Sequence, residues 1–102
     1  MVVLSFKVLR AFGEKHPNVS DALRSWYSIA EKADWANFHE MKNTFNSVDS
    51  VGNDRYVFNV KGNHCRLVVL INFGNRTMYI LFVGTHSEYS KIDASTIKFK
   101  KK

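Results

Sequence analysis

One cysteine, one proline and no long apolar stretch set the first limits on this 102-residue chain. Cys65 has no second cysteine for an intramolecular disulfide, and no CxxC or cysteine–histidine cluster is present to hold a structural metal. It is expected to fill the core. The run Leu67 to Ile71 is far shorter than the roughly 18 to 20 residues of a membrane span. Lys7 and Arg10 interrupt the N-terminal stretch where a signal peptide would keep its apolar segment. The expected location is the cytoplasm, with no membrane partner. His16, His39, His64 and His86 are too scattered for a metal motif such as HExxH, and neither the GxxxxGK-S/T phosphate loop nor the GxSxG elbow occurs. No metal and no small-molecule cofactor is expected. The chain offers metal-free chemistry with Arg, Lys, His and Tyr, or binding alone.

What is present is a core. Apolar residues make up 45% of the chain and include eight Phe, enough for one folded domain over residues 1–102 and too much for a disordered binder. The charge is divided unevenly. Residues 1–54 hold six Lys or Arg against seven Asp or Glu; from Arg55 onward the count is nine against two. Arg55, Lys61, Arg66, Arg76 and Lys91 fall among residues patterned as sheet, the electrostatic footprint of a polyanion or an acidic protein partner. Lys98, Lys100, Lys101 and Lys102 end the chain in a basic tail, taken as residues 95–102.

After a short apolar start, Ser5 is placed to cap a helix with Phe6, Leu9 and Phe12 on one side, ended by Gly13 and Pro17. Val19, Ala22, Leu23, Trp26, Ile29, Ala30 and Ala33 recur at the spacing of a second, amphipathic helix. Asp34 reads as the N-cap of a third, with Trp35, Phe38, Met41 and Phe45 inward. The polar run Asn46 to Asp54 reads as a loop. From Arg55 the period becomes two. Arg55–Lys61, His64–Asn72 and Arg76–Gly84 read as strands joined by two-residue turns at Gly62-Asn63 and Gly74-Asn75. The expected fold is α+β: two layers, N-terminal helices on one face of a twisted, mainly antiparallel sheet, the other face partly open.

That hairpin register puts Lys61 opposite His64, Asn59 opposite Arg66 and Val57 opposite Val68 on one side, with Tyr56, Phe58, Val60, Cys65, Leu67 and Val69 on the other. The second set is the core face. Asn59, Lys61, His64 and Arg66 therefore form a polar cluster on the exposed face. The last strand runs out into Thr85-His86-Ser87-Glu88-Tyr89-Ser90-Lys91, a polar stretch at a strand end, where sites are commonly built.

Tyr56-Val57-Phe58-Asn59-Val60, Lys61-Gly62-Asn63, Arg66-Leu67-Val68-Val69 and Gly84-Thr85-His86, with Glu88-Tyr89 and Lys91, together resemble the HigB toxins of the RelE/ParE superfamily. Glu14-Lys15-His16-Pro17, Ala22-Leu23-Arg24, Trp26-Tyr27 and Ala33-Asp34-Trp35 extend the resemblance over roughly residues 3 to 94. Ser90 departs from it, standing where these proteins often carry an acidic residue, and the lysine tail lies outside it.

The resemblance implies a RelE-like fold and a type II toxin-antitoxin system. The toxin would cleave mRNA on the translating ribosome, a HigA-type antitoxin would silence it, and operator DNA would be met only through the antitoxin. The site it implies centres on Arg66 and His86, with Tyr89 and Lys91 next to them; the residue types themselves add Lys61 as a catalytic candidate and Asn59, His64, Lys91 and Arg76 as RNA contacts. These residue types suit attack by the RNA's own 2′-hydroxyl on the adjacent phosphate, Arg66 steadying charge with help from Lys61, and His86 moving a proton. The rival is a protein that cleaves nothing: a ParE-like gyrase inhibitor, or a blocker of ribosome or RNA.

Overall fold

Apolar residues at helical spacing fold into α1 (Phe6–Lys15), α2 (Pro17–Lys32) and α3 (Phe38–Thr44) in a computed structural model that describes residues 1–62 and 64–98. The strands are β1 (Val2–Leu4), β2 (Val48–Gly52), β3 (Arg55–Val60), β4 (Cys65–Asn72) and β5 (Thr77–Gly84), in sheet order β1-β5-β4-β3-β2. β1 runs parallel to β5, and the other three pairings are antiparallel. The expected α+β architecture is what forms.

Leu9, Leu23, Met41, Phe58, Leu67 and Met78 are fully buried between helices and sheet. Each such side chain contributes roughly 1.5–3 kcal/mol by leaving water. Trp26 and Phe45 both meet the Phe58 ring edge-on, with centroids 5.2 Å away, which ties α2 and the end of α3 to the middle of β3. Cys65 fills the core as expected, and burial pushes its thiol up to about 11.

Several local expectations change. Gly13 does not end α1 but lies buried inside it, because a Cβ there would stand 3.0 Å from Ser20 Oγ and 3.3 Å from Ser20 Cα. It lets α1 and α2 touch. Pro17 opens α2 at a position where its missing N–H costs nothing. The N-cap of α3 is Asn37, whose side chain accepts from the Glu40 N–H, whereas Asp34 faces away to bind Arg76. The run 46–54 holds an edge strand, β2, closed onto β3 by Asn53 and Asp54 at φ of 55° and 61°. Two adjacent left-handed residues are the mark of a type I′ turn. At the β4–β5 connection the left-handed residue is Arg76, at φ 56°, and β5 begins one residue later than expected.

The second face of the sheet is not open along its length. Val57, Val68, Leu81 and Ala94 form a small buried core there, with Tyr89, Ile92 and Ile97 packed against it. Residues after β5 turn back and lie across the strands. Arg55 holds them, donating from Nε and Nη2 to the carbonyl of Ile97 at 3.1 and 2.8 Å, and Asn53 donates to the carbonyl of Ser95. Ser95 and Ile97, read from sequence as the start of a tail, are thus tied to the sheet; Phe99 and Lys100–Lys102 lie outside the described residues. A bulge at Leu81 shifts the β4–β5 register by one residue, so that Val68 faces Phe82 and Arg66 faces Gly84.

Candidate functional site

The end of the second face nearest the β3–β4 turn carries Asn59 and Arg66. The register places Arg66 between Asn59 of β3 and Gly84 of β5, as the hairpin pattern predicts for Asn59. Its guanidinium carbon is 5.9 Å from the centroid of the Tyr89 ring. A cation at that distance from an aromatic centroid is drawn to the ring's negative face.

Tyr89 reaches Arg66 because β5 stops at Gly84 and the chain turns at once into α4 (His86–Tyr89). Thr85 caps this turn. Its Oγ1 accepts from the Glu88 N–H at 3.2 Å, while Glu88 Oε1 accepts from the Thr85 N–H at 2.8 Å, a reciprocal capping box. His86 begins α4 and is exposed; Tyr89 ends it, half-buried against the second core. Hydrogen bonds from Ser95 hold the Asp93 carboxyl below the usual carboxylate range and fix the turn that follows.

The other expected residues divide. Asn59 is half-buried beside Arg66, its amide donating to Ser47 Oγ at 2.9 Å, and Lys91 is exposed just past α4. His64 is exposed at the β3–β4 turn, where its N–H reaches the Lys61 carbonyl. Lys61 was grouped with the exposed face, but it takes a left-handed φ of 53° and its ammonium donates to the Asn18 carbonyl of α2 at 2.6 Å. It turns toward the helix layer. Arg76 lies at the opposite end of β5, ion-paired through Nε to Asp34 at 2.7 Å and bonded to the Phe73 carbonyl. The structure does not bring it to Arg66.

Three of the five basic residues counted as one footprint, Arg55, Lys61 and Arg76, therefore hold backbone carbonyls or a carboxylate within the fold. The sequence patterns name Gly84 and Glu88 only as parts of motifs and give neither a structural role. The pattern Thr85-x-x-Glu88 is a readable capping signal; Gly84 announces itself only once its neighbours are known. Among the described residues no group of three or more His, Cys, Asp or Glu is placed to hold a metal ion.

Helices packed on an open, five-stranded, mainly antiparallel sheet are the architecture of the RelE-like class of folds. Residues 19–92 match the HigB_toxin family, the RelE-like toxic component of a toxin-antitoxin system. An mRNA interferase HigB of Escherichia coli O6:H1 is 31% identical over 94 residues, covering 90% of this chain and 91% of the relative. The mRNA interferase toxin HigB of Escherichia coli K12 is 32% identical over 91 residues, covering 87% and 88%. The chain belongs to the HigB toxin family.

Proposed function

We propose that this protein is an endoribonuclease that cuts mRNA on the translating ribosome and so inhibits translation, without a metal in the chemical step. The observation that carries the reading is the meeting of Arg66 and Tyr89 beside the exposed His86. In the proposed reaction the 2′-hydroxyl oxygen bonds to the adjacent phosphorus as its proton passes to solvent water, and the bond to the departing 5′-oxygen breaks, leaving a 2′,3′-cyclic phosphate. Arg66 offsets the charge that builds on the phosphate oxygens. His86 gives a proton to the 5′-oxygen. Tyr89, held against Arg66, orients the RNA and shares the proton work.

Asn59, His64 and Lys91 are the proposed RNA contacts. Lys61 and Arg76, already bonded within the fold, stay out of the chemical step. So small a catalytic set suits a substrate whose geometry the ribosome supplies. The family implies an antitoxin partner; a HigA-type protein is proposed, with operator DNA reached through it, and the cytoplasm is the proposed site of action. Among the described residues no helix is long and apolar enough to cross a membrane.

The test is purified ribosomes programmed with a defined mRNA. Truncated RNA with defined ends, persisting in EDTA while the ribosome is kept intact by other means, supports the reading. Ribosome occupancy with intact RNA would make the protein a blocker. RNA lacking the 2′-hydroxyl at the scissile nucleotide should bind and survive.

A further inference from the structure

Two side chains, Phe82 and Glu88, converge on Gly84, the residue directly across the strand pair from Arg66. A Cβ built there would stand 2.5 Å from Phe82 Cζ and 3.0 Å from Glu88 Oε1. A methyl group there would force the Phe82 ring or the Glu88 carboxylate to move. The ring of Phe82 closes one side, the carboxylate of Glu88 another, and the same carboxylate oxygen accepts the Thr85 N–H.

We propose that Glu88 is a positioning residue for the cleavage step, setting through Thr85 and over the bare α-carbon of Gly84 where His86 and Tyr89 stand relative to Arg66. The inference rests on the endoribonuclease reading above. Glu88 neither touches the RNA nor moves a proton. Its role is geometric: β5 delivers the chain beside Arg66, and the two hydrogen bonds of the box fix the turn that aims His86 outward and lays Tyr89 over the guanidinium. A four-residue helix has too few internal bonds to hold itself, so its geometry depends on the cap. A reacting group displaced by about 1 Å loses on the order of 10²-fold in rate.

The chemistry of capping separates this role from direct participation. A glutamine can make the same reciprocal bond, since Gln serves as well as Glu at the third position of a capping box, but it carries no charge and holds no proton. Single-turnover cleavage on saturating ribosomes should therefore fall roughly 10- to 10²-fold for Glu88→Ala and return to within about threefold of wild type for Glu88→Gln. The half-saturating ribosome concentration should stay near wild type for both. Gly84→Ala should behave as Glu88→Ala does. Protection of the Thr85 amide against hydrogen exchange, measured on the free protein, should fall in Glu88→Ala and hold in Glu88→Gln.

Equal damage from Gln and Ala would overturn the proposal by making the charge itself the agent. Full activity of Glu88→Ala would overturn it by making the box irrelevant to rate. If wild type itself fails to cleave, the endoribonuclease reading falls, and this assignment falls with it. The exchange measurement then reports only whether the box exists, which keeps the two failures apart.

Discussion

The guanidinium of Arg66 in the middle strand, β4, and the ring of Tyr89 at the end of α4 stand 5.9 Å apart, though twenty-three residues separate them in sequence. The contact joins a strand to the segment that closes over it. Replacing Arg66 by Ala should lower the single-turnover cleavage rate by roughly 10²-fold, the scale of one preorganised charge-stabilising donor. The folded state should persist, losing at least the roughly 1 kcal/mol of a partly exposed cation–π contact. Thermal denaturation alongside cleavage checks both; loss of fold rather than of rate would assign Arg66 to structure.

His86 is exposed and its carbonyl accepts from the Ser90 N–H within the turn, so His86→Ala should leave the fold intact. Cleavage should drop by about 10² to 10⁴-fold. Near wild-type cleavage by a folded His86→Ala would pass the proton transfer to Tyr89.

Cys65 is fully buried, with its thiol pushed up to about 11 by loss of water. Thiolate is the reactive form, so an aromatic disulfide reagent at pH 8 should leave the native protein untouched and label it fully in denaturant. The folded value lies above the ordinary one, so the folded state keeps its proton longer than the unfolded. The associated stability is complete below the unfolded value, and it is lost as pH rises toward about 11. Rapid native labelling would mean that β4 opens locally.

Gly13→Ala sets two effects against each other. Alanine favours a helix over glycine by about 1 kcal/mol, yet its methyl would press on Ser20, including the backbone Cα at 3.3 Å. Overpacking of this kind costs roughly 1–3 kcal/mol, so the contact should win and the melting temperature should fall. A rise would show that α1 and α2 can separate without loss.

The sequence discloses the α2 stripe, the three long strands and the β3–β4 register because each follows from a period, two or near 3.6, carried by strongly apolar residues. It conceals β2, where Val48 and Val51 are the only apolar residues in a polar run, although Asn53-Asp54 is chemistry suited to a tight turn. Asn59 and Arg66 could be paired in advance because hairpin register is local. The dispositions of Lys61, Arg55 and Arg76 could not. Their partners, Asn18, Ile97 and Asp34, lie 42 or 43 residues away, and no periodicity reports contacts at that range. A count of positive residues therefore overstates the charge presented to a polyanion. The second core escaped notice for a related reason: Val57 and Val68 read as a solvent face until Ile92, Ala94 and Ile97 are seen to return across them.

The sheet order has a consequence in time. Val2 lies opposite Thr77, seventy-five residues further along, so the first strand of the chain waits for the last before it can pair. At about 5–20 residues per second of synthesis, that interval is several seconds. Pairing so distant in sequence also makes for slow folding, since the loop must close before its contacts stabilise anything. Arg66 is made before β5, but Tyr89 and His86 come after it. A half-made chain therefore lacks the contact between Arg66 and Tyr89.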